Sequence, residues 1–147
     1  MREFKGRVVT PGTCTCEAVV SHEGFNTLAS LQSALQFGDK SVKVGDQNNP
    51  DLYGKPIYGK ALCIPQTIGS TTGGLVLYCA CSMHRNPACI LFANRIDSLA
   101  CAGAVLTDVW VDDVTMPVVD ELGDEFLNYV KDGMKITIKE DGVVVVD

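Results

Sequence analysis

Three consecutive hydroxyl residues stand between glycines in the segment PQTIGSTTGG, residues 65 to 74. Gly69 precedes Ser70, Thr71 and Thr72, and two further glycines follow them. A serine that abstracts a proton near neutral pH needs its pKa lowered by several units, each worth about 1.4 kcal/mol. Glycine amides at a helix N-terminus favour negative charge and can supply that stabilisation. The residue types fit an anion-binding turn or a serine base, and they also fit ordinary helix N-caps.

The sequence on either side of this turn predicts a strand followed by a helix. KALCI (60–64) predicts a short buried strand, and GGLVLYCACSM (73–83) predicts a helix because of its length and its position after the glycines. A strand that leads through a tight turn into a helix directs backbone N–H groups at one place. No lysine follows the glycines, so the turn is not a P-loop.

Seven cysteines form the second group of reactive residues, at positions 14, 16, 63, 79, 81, 89 and 101. Two pairs have Cys-X-Cys spacing, Cys14 with Cys16 and Cys79 with Cys81, which is shorter than the usual spacing of zinc ligands. On a strand, the two thiols of such a pair lie on the same face. The odd number and the apolar surroundings predict free thiols that serve packing, with no metal site in this chain.

Two histidines and two arginines are further candidates for chemistry. His22 and His84 are the only histidines, and either could act as a phosphocarrier or a general acid if it is not simply a solvated loop residue. Arg85 and Arg95 are candidates for binding a carboxylate, with a plain surface position as the alternative.

Length and charge narrow the class of protein. A chain of 147 residues predicts a single domain over residues 1–147. Its net charge of −6 and the lack of a basic cluster argue against nucleic-acid binding. The segment MREFKGRVV resembles neither a signal peptide nor a transit peptide, and no apolar run approaches the ~20 residues of a membrane span. We therefore expect a cytoplasmic protein without a membrane or nucleic-acid partner.

The remaining pattern predicts a small layered α/β domain of mixed sheets with a few helices. Further strands are predicted at residues 3–12, 14–21, 87–93, 104–109 and 116–120, with a hairpin at 134–146 that turns at EDG. Two further helices are predicted, at residues 95–104 with Gly103 as its stop signal and at 123–133. Residues 24–58 predict a long loop, partly ordered, with a short helix at most, and this length suggests a functional loop.

Four separated segments resemble one known family. They are, in chain order, FKGRVVTPGTCTCEAVVSHEG (4–24), LYGKPIYGKALCIPQTIGSTTGGLVLY (52–78), NPACILFANRIDSLACAGAVLTDV (86–109) and MPVVDEL (116–122). These segments resemble the small subunit, or swivel domain, of the aconitase X enzymes, and the Gly-Ser turn is the most specific of their elements. The stretch after SHEG departs from the aromatic, glycine-rich pattern of many members.

The resemblance implies a hydro-lyase related to aconitase, in which a swivelling β/β/α domain closes over a large subunit. It implies that Ser70 is the proton-abstracting base, supported by Gly69, Thr71 and Thr72. An iron or iron–sulfur centre would be bound by the partner large subunit rather than by this chain.

Two substrates are known in the family, cis-3-hydroxy-L-proline and mevalonate 5-phosphate. We expect the first, because the composition does not suggest a hyperthermophile and no phosphate-binding basic cluster is present. Mevalonate 5-phosphate is the alternative substrate. A non-catalytic swivelling or interaction module is the alternative from another class.

Overall fold

The computed structural model describes residues 1–69 and 71–147. The strands among these residues are β1 (Arg2–Lys5), β2 (Arg7–Thr10), β3 (Cys14–Val20), β4 (Phe25–Asn26), β5 (Ala61–Ile64), β6 (Thr67–Ile68), β7 (Cys89–Phe92), β8 (Val118–Asp120), β9 (Lys135–Ile138) and β10 (Val143–Val146). The helices are α1 (Thr27–Phe37), α2 (Gly73–Ser82), α3 (Ser98–Trp110) and α4 (Asp124–Tyr129). None of these helices is both long enough and apolar enough to cross a bilayer.

Eight strands form one strongly curled sheet in the order β1-β10-β9-β3-β5-β7-β8-β2. Within this sheet, β3, β5, β7 and β8 run parallel to one another, and the other neighbouring pairs run antiparallel. The edge strands β1 and β2 are separated in sequence by Gly6 alone, so the sheet nearly closes on itself. A Cβ atom at Gly6 would lie 2.5 Å from the carbonyl oxygen of Asp120, and only glycine permits this approach. The single predicted strand at 3–12 is therefore two strands on opposite edges of the sheet.

Both faces of the parallel strands are buried, which gives the domain two cores. In β5, Ala61 and Cys63 face the inside of the curled sheet, whereas Leu62 and Ile64 face α1, α2 and α3. The inner core also holds Phe126 of α4. Strands covered on both faces read as continuous apolar runs, as KALCI does. The result is two β layers and one helical layer, which confirms the predicted β/β/α architecture.

Residues 24–58 are more ordered than the sequence predicts. Helix α1 has 11 residues, is capped by the Asn26 side chain, which accepts from the Ala29 N–H at 3.1 Å, and ends at Gly38 with φ of 70°. Its buried positions include the polar residues Thr27 and Ser30, so the sequence lacks the apolar periodicity that would predict a full helix. The following residues form turns, yet Val42, Val44, Leu52 and Ile57 in this stretch are almost fully buried.

The predicted end of the third helix is wrong. Gly103 lies inside α3, which continues to Trp110, and the strand predicted at residues 104–109 is helical. Gly103 is present because α3 crosses α2 there: a Cβ atom on it would lie 2.3 Å from the carbonyl oxygen of Gly74. Glycine in mid-helix thus marks a close helix contact rather than a stop. Helix α2 and the C-terminal hairpin, with Gly142 in its turn at φ of 86°, confirm their predictions.

Candidate functional site

A cleft of about 140 Å³ opens beside the glycine turn that follows β6. It lies beyond the carboxyl ends of the parallel strands β5 and β7, the edge at which open α/β sheets bind their ligands. The residues that line it come from the turn and from the beginnings of α1, α2 and α3: Thr27, Thr67, Ile68, Gly69, Gly73, Gly74, Asp97, Leu99 and Ala100.

Gly69 lines this cleft in a conformation that favours glycine. Its φ is 103°, in the region of backbone conformation that favours glycine. A Cβ atom on Gly69 would lie 2.8 Å from the carboxamide of Asn26, the residue that caps α1. The absence of a side chain at Gly69 therefore lets the turn pack directly against the start of α1.

The first turns of three helices meet at the cleft. The carboxylate of Asp97 caps α3, since its Oδ2 accepts from the N–H groups of Leu99 at 3.1 Å and Ala100 at 3.0 Å. Its Oδ1 accepts from the hydroxyl of Thr67, which ties β6 to α3. At the start of α2, Gly73 and Gly74 line the cleft, and neither has a side chain that could cover the backbone. Because Asp97 occupies the first N–H groups of α3 and Asn26 caps α1, the start of α2 is the part of the cleft that most favours an anion.

The structure places the predicted site residues on this turn, with one exception. Ser70 lies outside the described residues, so its role stays a prediction. Gly69 lines the cleft, and Thr71 and Thr72 are exposed. Thr72 is the N-cap residue of α2, and its carbonyl accepts from the Val76 N–H at 3.0 Å.

The other candidates from the sequence lie away from the cleft lining. His84 follows the C-terminal end of α2, with Nε2 2.8 Å from Oδ2 of Asp113. His22 is exposed in a turn after β3. Arg85 donates to the carbonyl of Met83 at 3.2 Å, and Arg95 lines a separate open cleft together with Arg7. The geometry does not bring these four side chains together.

A cluster of three thiols, which we call the thiol cluster, occupies the opposite edge of the sheet. It consists of Cys14 and Cys16 on β3 and Cys89 at the start of β7. The Sγ atoms of Cys14 and Cys16 are 3.5 Å apart, and those of Cys16 and Cys89 are 3.9 Å apart. Each strand rises ~3.3 Å per residue, so the length of β7 alone puts ~10 Å between this cluster and the cleft edge.

The close packing of these thiols shifts their pKa values in opposite directions. Hydrogen bonds from Cys16 and then Cys89 lower the pKa of Cys14 to about 4. The bond to Cys14 raises the pKa of Cys16 to about 12, and bonds to both partners raise the pKa of Cys89 well above its ordinary value. Burial is the main cause that raises the pKa of Cys81 to about 11, and it also raises the pKa of Cys63. These shifts favour the thiolate form of Cys14 over the thiolate forms of Cys16 and Cys89.

Sequence reasoning found part of each site. It found the glycine turn and the shared face of Cys14 and Cys16, but it missed Cys89, Asn26 and Asp97. The segment Asp97-Ser-Leu has the form of a helix N-cap, which could have located the start of α3. Nothing local in the sequence connects Cys89 with Cys16, because the two are 73 positions apart.

These features define a layered α/β domain with a ligand cleft at converging helix N-termini. The sequence pattern of the aconitase X swivel domain matches residues 3–146, so the chain belongs to the aconitase X swivel-domain family.

Relatives and a solved structure agree with this membership. The phosphomevalonate dehydratase small subunit of Aeropyrum pernix is 33% identical over 128 residues, which cover 87% of this chain and 88% of that protein. Its counterpart from Methanothermobacter thermautotrophicus is 27% identical over 139 residues, 95% of each chain. The crystal structure of Thermococcus kodakaraensis aconitase X in its holo-form superposes with a TM-score of 0.81 at 26% identity, over 100% of this chain and 99% of that one.

The family implies an iron or iron–sulfur centre, and the cleft does not fit one. Iron–sulfur clusters are held mainly by cysteine thiolates. The described residues that line the cleft offer hydroxyls, apolar groups and the carboxylate of Asp97, which is already occupied in capping α3, but no cysteine or histidine. The three thiols of the thiol cluster lie at the other edge of the sheet.

Proposed function

We propose that this chain is the small subunit of a dehydratase that removes water from mevalonate 5-phosphate. The observation that carries the proposal is its similarity, over 87% to 95% of its length, to curated proteins named phosphomevalonate dehydratase small subunit. These relatives favour the alternative substrate of the sequence analysis over cis-3-hydroxy-L-proline. The lack of a basic cluster was a poor guide, because helix N-termini can bind a phosphate or carboxylate through backbone N–H groups.

The proposed chemistry is proton removal from the carbon next to the substrate carboxylate, with loss of the hydroxyl on the following carbon. We assign the base to Ser70, which is joined to Gly69 at the cleft. A serine base requires strong stabilisation of its alkoxide, and the start of α2, which directly follows the turn, supplies positive potential there. Backbone groups of Gly69 and Thr71, together with Thr72, support the same negative charge.

The converging helix starts also support a role in holding the anionic substrate. A carboxylate bound beside Gly73 and Gly74 would accept hydrogen bonds from backbone N–H groups at the start of α2. Fixing the reacting carbon and the base in one geometry removes much of the entropic barrier of the reaction. We assign the iron or iron–sulfur centre to the large subunit, because the described cleft residues offer no thiolate for it.

An exposed apolar face beside the cleft supports the large subunit as partner. Helix α3 exposes Leu99, Val105, Leu106, Val109 and Trp110, and Trp110 is 69% exposed. Leu99 lines the cleft as well, so the face is continuous with the site. Contiguous apolar surface of this kind typically marks an interface. A large subunit bound there would also cover the cleft and exclude water from the reaction.

The test is turnover of mevalonate 5-phosphate by the chain assembled with its large subunit and iron, beside cis-3-hydroxy-L-proline. Proton NMR would follow loss of the α-proton signal and growth of a vinylic signal. Wild-type complex should convert mevalonate 5-phosphate, and Ser70→Ala should lower the turnover number by ~10²–10⁴-fold, the usual contribution of a general base. Ser82→Ala, at the far end of α2, is the matched control and should retain activity.

Assembly must be measured on the same samples, because a variant that fails to bind its partner is also inactive. Trp110 is the only tryptophan, so 5-fluorotryptophan labelling of this chain gives one ¹⁹F signal on the α3 face. That signal should shift on addition of the large subunit, equally in wild type and Ser70→Ala. Turnover above a tenth of wild type in Ser70→Ala would refute the serine base. Conversion of hydroxyproline alone would refute the substrate, and an inactive wild-type complex with both would favour the non-catalytic module.

A further inference from the structure

The spacing of the thiol cluster is that of ligands around one metal ion. All three Sγ atoms lie within 4.8 Å of one another, with two separations of 3.5 and 3.9 Å. When a metal binds thiolates tetrahedrally at ~2.3 Å, its sulfur ligands are ~3.8 Å apart. An ion could therefore bind between the three sulfurs with little movement of their side chains.

The sheet itself brings the three thiols together. Cys14 and Cys16 lie on the same side of β3 because side chains alternate along a strand. The pairing of β3 with β5 begins at Ala18 opposite Ala61, and Ala61 in turn pairs with Cys89. Two small alanine side chains therefore stand where larger ones would separate Cys16 from Cys89. The arrangement is fixed by strand register and does not depend on a flexible loop.

The surroundings suit a metal ion that keeps one open position. Cys89 is fully buried, whereas Cys14 and Cys16 are half-buried, so solvent reaches one side of the cluster. Three thiolates and a divalent ion leave one net negative charge. The ammonium group of Lys60 is near enough to Cys16 to act on its charge and partly offsets this excess.

We infer that Cys14, Cys16 and Cys89 form a binding site for one thiophilic divalent ion such as Zn²⁺, with water as the fourth ligand. The site is separate from the cleft and does not depend on the proposed dehydratase function. It replaces the sequence-based expectation that these cysteines serve packing alone. Its short sulfur–sulfur distances suit a single ion rather than an iron–sulfur cluster, whose thiolates bind different irons.

The test is metal titration of the purified, reduced chain after treatment with EDTA. Co²⁺ should bind at one ion per chain and give intense visible bands of a tetrahedral site with near-ultraviolet thiolate-to-cobalt charge transfer. Zn²⁺ should then displace it. Cys14→Ser should weaken Co²⁺ binding by more than about tenfold, since even loss of an outer-shell partner typically costs 10–100-fold. Cys101→Ser, half-buried on α3, is the matched control and should bind like wild type.

A second measurement keeps the inference testable if cluster variants fold poorly. Zn²⁺ should protect Cys14, the reactive member of the cluster, from alkylation in the wild-type chain, mapped by mass spectrometry, and leave Cys79 and Cys101 as reactive as before. Absence of Co²⁺ binding to wild type, or binding unchanged in Cys14→Ser, would overturn the inference. Protection of Cys79 or Cys101 instead of the cluster would overturn it as well.

Discussion

The two edges of the parallel strands carry two different kinds of site. At the carboxyl ends, the cleft beside Gly69 is built from backbone: a glycine turn and the first turns of three helices. At the amino ends, the thiol cluster is built from side chains that strand register brings together. The first site depends on where side chains are absent, and the second on which side chains are present.

This difference decides which changes damage each site. A backbone site tolerates most conservative side-chain changes but fails when a Cβ atom enters a close contact. A site built from side chains tolerates many changes of the neighbouring residues but fails when one of its few functional atoms is removed. Each prediction below tests one of these two kinds of site against its own control.

The largest expected effect is on the pH dependence of cysteine alkylation. Because hydrogen bonds from Cys16 and Cys89 lower the pKa of Cys14 to about 4, Cys14 should be a thiolate throughout pH 6–8. Its rate with iodoacetamide in EDTA should change less than about twofold over this range, whereas an ordinary thiol with a pKa near 8.5 should accelerate almost 100-fold. Mass spectrometry of the alkylated peptides measures both.

The hydrogen bonds of the cluster also predict how the pKa of Cys14 changes when a neighbouring thiol is removed. Cys16→Ala removes the main hydrogen-bond donor to Cys14, so the pKa of Cys14 should rise and its rate should become strongly pH-dependent. A reference peptide with one cysteine gives the ordinary slope under the same conditions. A wild-type Cys14 rate that climbs as steeply as this peptide would show that the cluster holds no thiolate.

The sequence predicted the architecture well because its signals are local. The apolar runs of β5 and β7, the EDG turn and the glycine turn before α2 each depend on a few adjacent residues. These signals, with the family resemblance, were sufficient for the β/β/α layering and for singling out the glycine turn beside which the cleft lies. The roles of Ser70, Thr71 and Thr72 came from the resemblance and stay predictions.

Prediction from the sequence failed where the structural role of a residue depends on residues that are distant in the chain. Gly103 looks like a helix stop until Gly74 is known to lie against it, and Cys89 looks like core until Cys16 is known to lie beside it. Helix α1 was underestimated because it buries the polar residues Thr27 and Ser30. In each case the deciding contact joins segments that only the folded chain brings together.

The contact between α2 and α3 gives the second prediction, which concerns the support of the cleft. Gly103→Ala should destabilise the protein by about 1–3 kcal/mol, as overpacking of a close contact does. Helix propensity alone predicts the opposite, a gain of about 1 kcal/mol. The added Cβ atom would lie 2.3 Å from the Gly74 carbonyl oxygen, so the steric effect should dominate. Urea unfolding measures the change.

The matched control is Gly73→Ala on α2. Its Cβ atom would meet Thr27 at 3.6 Å, an ordinary van der Waals distance, so stability should change by less than about 0.5 kcal/mol or increase. Equal destabilisation by both substitutions would mean that the Gly103 contact is not special. Greater stability of Gly103→Ala would show that α2 and α3 are further apart than described.

The smallest expected effect tests the backbone character of the cleft at the turn itself. Gly69→Ala places a side chain at φ of 103°, at a cost of about 1–3 kcal/mol, and within 2.8 Å of the Asn26 carboxamide that caps α1. The turn must shift, so turnover in the assembled complex should fall by about tenfold, in line with ~1.4 kcal/mol of lost positioning.

Gly54→Ala separates strain from position, because Gly54 has φ of 78° with no atom near its Cβ site and lies outside the cleft lining. That control should lose stability but keep turnover, and Co²⁺ binding at the thiol cluster should be unchanged in both. Full activity of Gly69→Ala would contradict a site whose function depends on the backbone of this turn.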